Sequence, residues 1–291
     1  MKRFILIIAI IYFEVSFLYA EDVTFNQKIR INFFISVRTK KLDPAIASAQ
    51  LQARVTGMLN KGEMYCMFVE SAQEMADRMT AVLKKRNAMI GNIWFDSHGH
   101  FSKRRALFDV GKDEFNAESI MDSVLTAPFR IISAYSDTNT IVGIGSCYGG
   151  ATYTFPSVEG FPEQQMKGDV LMMRLSCLLN NATVYGSESF VMTGPGIFTA
   201  SYNLAGYPRR KKFKDPIYKP VWDNLGEWNC YNGKTKTFYS VTTVTLNHDG
   251  NIYCKPADYL GFKKNKQKLQ QKLLKFRRGN FNIASFYQEE F

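Results

Sequence analysis

From residue 29 the chain alternates short apolar runs with stretches of helical periodicity, and no other feature restricts its fold as strongly. Ile29 to Val37 is rich in Ile, Phe and Val and reads as a first strand. A polar stretch with a helix around 47–60 follows, and Met64–Val69 is short and apolar enough to be a buried second strand. Ser71 and Glu74 form a capping-box pattern. Behind them Met75, Ala76, Met79, Val82 and Leu83 recur at helical spacing as far as Lys84–Arg86, where positive charge suits a helix C-terminus. The third strand, Met89 to Phe95, runs straight into Asp96–His100. A loop of about fifteen residues then leads to a helix over 116–126, stopped by Pro128. The fourth strand, Thr140 to Ile144, runs into Gly145–Gly150, and a helix over 169–179 and a fifth strand over 183–192 complete the series. Strands separated by helices imply an α/β fold with a mainly parallel sheet and helices on both faces, a three-layer α/β/α sandwich over residues 21–207. After Pro208 turn signals and Thr/Val/Tyr-rich runs replace helix formers, so 208–291 reads as a small β-rich extension.

The ends of the chain carry different signals. Lys2 and Arg3 precede an apolar run from Phe4 to Phe13, and Ala20 stands before Glu21 and Asp22, the layout of an export signal. Cleavage after Ala20 and an uncleaved anchor are the two outcomes such a segment allows. An exported protein is expected in either case, with no membrane span after residue 20. Removing residues 1–20 takes away Lys2, Arg3 and Glu14 and lowers the net charge from +11 to +10. The basic excess gathers in Pro208–Lys214 and in Lys263–Arg278, where Leu269, Lys272, Leu273 and Phe276 fall at helical spacing. Such runs are usually solvated faces, and here an amphipathic terminal helix is expected rather than a nucleic-acid partner. Prolines at 208 and 216 bracket five basic residues, so this stretch reads as an exposed loop and a candidate self-cleavage site between body and extension.

Five cysteines in an exported chain leave at least one unpaired. Cys147 is the candidate for that one. Cys230 and Cys254 lie on successive strand-like runs and form a possible disulfide, while Cys66 and Cys177 sit in apolar runs and read as buried small hydrophobes.

Catalytic groups of open α/β sheets gather at the carboxyl ends of the parallel strands. The turns holding His98 and Cys147 both begin at such ends, on consecutive strands, so the two residues are expected to approach each other although 49 positions apart. Gly99, Gly145, Gly149 and Gly150 flank them and permit tight turns and close approach of a substrate. A thiolate that attacks a carbonyl needs a proton donor for the leaving group and backbone N–H groups for the oxyanion. Cys147, His98 and the amides of Gly99 and Cys147 can fill those roles without a cofactor or a metal.

An apolar strand ending in Ser97-His98-Gly99, followed about fifty residues later by one ending in Ser146–Gly150, resembles the clan of cysteine peptidases that holds caspases, gingipains, clostripain, legumain and separase, the clan CD peptidases. The resemblance implies a caspase-like catalytic domain, with His98 as general acid/base, Cys147 as nucleophile and Gly99 as an oxyanion donor. It implies a protein or peptide substrate. Ser146 before the cysteine and Tyr148-Gly149 after it depart from the caspase form, so specificity for aspartate does not follow.

Other readings of the same residues remain. A domain with this fold and no activity would serve binding or structure alone. Gly145–Gly149 also fits the elbow of α/β-hydrolases, with His248 as base and an ester or lactone as substrate. Asp96, His98 and His100 offer three metal ligands in five residues, but no second cluster completes a site. Glu188 is the one acidic residue in the apolar strand system after Cys147. Either it lines a pocket that favours Arg or Lys before the cleaved bond, or it is a solvated strand-end carboxylate.

Overall fold

The computed structural model describes residues 28–38, 64–99, 103–152, 154–155, 163–188, 190–193, 201–202, 204–207, 228–241, 243–247 and 249–255. The export signal, the helix expected at 47–60, both basic runs, His100 and His248 lie outside the described residues.

In chain order the first elements are strands β1 (Arg30–Val37) and β2 (Met64–Val69), helix α1 (Ala72–Arg86) and strand β3 (Met89–Asp96). Next come β4 (Leu107–Val110), β5 (Asp113–Asn116), a 3-10 turn at Ser119–Met121, α2 (Ala127–Ser133), β6 (Ile141–Ile144), β7 (Thr154–Phe155) and β8 (Gln164–Gln165). Helix α3 (Gly168–Leu178) leads to β9 (Thr183–Ser187), β10 (Phe190–Thr193), β11 (Ser201–Tyr202) and β12 (Leu204–Tyr207). The last described strands are β13 (Trp228–Asn232), β14 (Thr237–Val241), β15 (Thr243–Asn247) and β16 (Ile252–Lys255).

Seven strands form a mixed, mainly parallel sheet in the order β14-β13-β9-β6-β3-β1-β2. The five strands from β2 to β9 are parallel, and β13 and β14 close one edge in antiparallel pairing. β1 is buried from Ile31 to Ser36 because both faces are covered, which is why its sequence is mostly apolar rather than alternating, with the buried polar Asn32 and Ser36 hydrogen-bonded. From β2 the chain steps to β3, β6 and β9 in one direction. Right-handed crossovers taken in one direction put their helices on one face, and α1, α2 and α3 share the first core with Phe33, Ile35, Ile93 and Phe95. The three described helices therefore cover one face, not both. On the other face β15 and β16 lay Val244, Leu246 and Ile252 against Phe34, Trp94 and Trp228.

Local chemistry sets the boundaries. Ser71 caps α1 by accepting the Glu74 N–H at 3.2 Å, while the Glu74 carboxylate turns back to the Glu70 N–H at 2.8 Å. Asn87, in the left-handed region at φ 46°, ends that helix. The expected helix over 116–126 is corrected to Ala127–Ser133. Pro128 opens it rather than stopping it, because a first-turn residue has no intrahelical N–H bond to lose. The expected loop before it contains the β4–β5 hairpin, turned at Gly111 (φ 66°) and Lys112. Its Phe108 stacks between Phe95 (4.9 Å) and Phe115 (5.3 Å), each pair adding about 0.5–1.5 kcal/mol beyond burial.

The described strands after residue 228 pack with the described strands of the body. β13 pairs with β9 inside the main sheet. The turn between β15 and β16 is held by buried asparagines: Asn32 Nδ2 donates to Asp249 O at 2.7 Å and to Asn251 Oδ1 at 3.1 Å, and Asn92 Nδ2 to Asn32 Oδ1 at 2.8 Å. A cut within 208–216 would leave these strands in place by pairing and burial. Among the described residues no helix is long and apolar enough to cross a membrane.

Candidate functional site

Strand order reverses between β1 and β3, and the crevice of such a sheet opens at the carboxyl ends beside that point. Asp96 ends β3 there, accepting the Ser36 hydroxyl of β1 at 2.9 Å. Ser97 is buried and its Oγ accepts the Asp109 N–H of β4 at 3.0 Å, which leaves His98 half-buried at the head of the turn.

The second turn is anchored on three sides. Gly145 N–H continues the pairing of β6 with β3 by donating to Phe95 O at 2.7 Å. Ser146 Oγ, fully buried, donates to Leu107 O of β4 at 2.6 Å. Gly150 N–H donates to Ser187 O at the end of β9 at 3.0 Å. Between these anchors Tyr148 is held in the left-handed region at φ 60°, a conformation that costs a bulky residue about 1–2 kcal/mol and that the surrounding bonds enforce. The glycines after the cysteine serve backbone packing rather than approach of a substrate. A methyl on Gly150 would lie 2.4 Å from Gly186 O, and one on Gly168 2.3 Å from the Gly150 carbonyl carbon.

The two turns meet at Gly99. A methyl group there would lie 1.7 Å from Cys147 O and 2.7 Å from Cys147 N, so only glycine lets the histidine turn lie against the cysteine peptide. Cys147 is half-buried. The main chain of Val191 grips its sulfur: the Val191 N–H donates to Sγ at 3.3 Å, and Sγ faces Val191 O at 3.8 Å. The strand expected over 183–192 is thus corrected to two strands, broken at Glu188, and the break turns β10 across the cysteine.

Glu188 is not a solvated strand-end carboxylate. It is 6 % exposed, accepts the Thr152 hydroxyl at 3.0 Å and accepts Asn229 Nδ2, which also donates to Gly150 O at 2.8 Å. The carboxylate therefore stands directly behind the cysteine turn. Asp109 carries no sequence motif and was not anticipated. Burial pushes its carboxyl up to about 6, Glu114 across the hairpin adds to the rise, and Lys103 and His98 draw it back. An acid–base group poised near neutrality thus lies within the electrostatic reach of His98.

Cys230 and Cys254 come together around Tyr185, whose hydroxyl donates to Cys254 Sγ at 3.2 Å, but both are free thiols and no disulfide joins them. Burial pushes the Cys230 thiol up to about 11, against the pull of the Tyr239 and Tyr185 hydroxyls, which suits an inert buried thiol. Cys66 is half-buried, and Cys177 is exposed rather than buried because it shares the outward side of α3 with Met173. Among the described residues no group of three His, Cys, Asp or Glu side chains is placed to hold a metal. The chain after Cys147 makes a turn and then β7, not the helix that a hydrolase elbow requires. No family model matches the chain, and no curated protein matches it in sequence.

Proposed function

We propose that this chain is an exported cysteine endopeptidase resembling the caspase–gingipain clan, with Cys147 as nucleophile and His98 as general acid/base. One observation carries the reading: turns that end neighbouring parallel strands bring the peptide of Cys147 against Gly99, the residue after His98. The Cys147 thiolate attacks a peptide carbonyl, and the oxyanion is held by the N–H groups of Gly99 and Cys147. Collapse breaks the C–N bond, the leaving amine takes a proton from the His98 imidazolium, and a thioester remains. Water, giving its proton to His98, then hydrolyses the thioester and restores the thiolate. The Val191 N–H aimed at the sulfur favours negative charge there. The finer fold we propose is the three-layer α/β/α sandwich that the resemblance implies.

Glu188 supports a preference for Arg or Lys before the cleaved bond, because a buried carboxylate behind the cysteine turn offers a cationic side chain its counter-charge. Fluorogenic peptides that differ only at that position test both statements. Hydrolysis is expected to be fastest after Arg or Lys and to stop on alkylation of Cys147. Glu188→Gln should lower kcat/KM for these peptides by about tenfold or more and change the others little. No cleavage of any peptide would contradict the peptidase reading, and an unchanged preference in Glu188→Gln would remove Glu188 from the pocket.

A further inference from the structure

We propose that strand β4 is the gauge that sets the His98 turn against the Cys147 turn, with Ser97 and Ser146 as positioning residues. The proposal rests on the dyad reading above and adds two residues that the dyad chemistry does not use.

Each serine immediately precedes one of the two reactive residues, and each bonds to the same strand. Ser97 Oγ accepts the Asp109 N–H at 3.0 Å, and Ser146 Oγ donates to Leu107 O at 2.6 Å. Main-chain groups two residues apart on a strand point to the same edge, and β5 occupies the other edge of β4. The two hydroxyls are therefore spaced by one pleat repeat, roughly 7 Å at most, on a single rigid element instead of being tied to separate parts of the body. Both serines are buried, so their hydroxyls are committed to these bonds and not shared with solvent.

The gauge is itself fixed at both ends. Ala106 N–H donates to Met166 O at 2.8 Å and Lys112 N–H to Glu70 O at 3.0 Å. The Asp113 carboxylate accepts the first N–H of α1, at Ala72, at 2.8 Å. Phe108 is locked between Phe95 and Phe115, and the same strand carries Asp109, whose carboxyl lies within electrostatic reach of His98. The pairing of β3 with β6 holds the turns roughly together without the serines. What the hydroxyls add is the last fraction of an ångström, and misplacement of reacting groups by about 1 Å costs on the order of a hundredfold in rate.

Cys177, exposed on α3, is an internal reference thiol for the test. Wild type, Ser97→Ala, Ser146→Ala, the double variant and Ser97→Thr are alkylated with iodoacetamide near neutral pH, and the rate at Cys147 is divided by the rate at Cys177. An imidazolium held at the thiol raises its thiolate fraction, so the ratio should fall about tenfold in each alanine variant. Ser97→Thr, which keeps the hydroxyl, should stay within about twofold of wild type. The double variant should lose less than the product of the single losses, because both hydroxyls set one distance. Melting temperatures identify the folded variants. A ratio unchanged in folded Ser97→Ala and Ser146→Ala would overturn the proposal. A tenfold fall in a protein that cleaves no peptide would support the gauge while contradicting the peptidase reading.

Discussion

His98→Ala should lower peptide turnover by roughly a hundred- to ten-thousand-fold, Cys147→Ala should abolish it, and His248→Ala should change it little. The expected loss follows from where β3 puts His98. His98 begins the turn that lies against the Cys147 peptide, at the carboxyl end of β3. The hydrolase reading assigns the base to His248 instead and so expects the opposite ranking. Steady-state kinetics on the best peptide, with melting temperatures as a check of folding, decide the ranking. A larger loss in His248→Ala than in His98→Ala would reverse the assignment.

Gly99→Ala should cost about a hundredfold in kcat/KM, although the substitution adds one methyl group and removes no reactive atom. The methyl would sit 1.7 Å from Cys147 O, where main chain rather than a flexible side chain must yield. The two turns must therefore separate by more than an ångström, enough to misalign nucleophile, base and both oxyanion donors together. Overpacking of this kind costs about 1–3 kcal/mol of stability, so the variant should fold and melt lower. Activity within threefold of wild type would mean that the contact between the turns does not govern the chemistry.

The parallel core was legible because strands covered on both faces are nearly continuous apolar runs, as Met64–Val69 and Phe33–Ile35 are. The two motif turns were legible for the same reason, each following such a strand. The β4–β5 hairpin was missed although its two-residue turn at Gly111-Lys112 is a hairpin signal, because its strands hold four residues each and mix Asp and Glu with Phe and Val. No local pattern reveals that β13 joins β9, since that pairing brings together residues some forty positions apart. Pro128 has two physical meanings, stop or first turn, and the sequence alone does not distinguish them. The hydrogen bonds of Glu188 to Asn229 and Thr152, and the Asp109 carboxyl raised by burial and by Glu114, exist only once the folded chain brings these residues together. Cys177 was misplaced because an apolar run does not say which side of a helix faces outward.

If His98 makes Cys147 a reactive nucleophile, covalent labelling reads that reactivity directly. The purified protein is incubated with a peptidyl electrophile bearing arginine before the reactive carbon, and the adduct is located by mass spectrometry in wild type and in His98→Ala. An adduct on Cys147 should form at least a hundredfold faster in wild type, with the exposed Cys177 left unmodified. Labelling that favours Cys177, or that proceeds at Cys147 equally fast without His98, would contradict it.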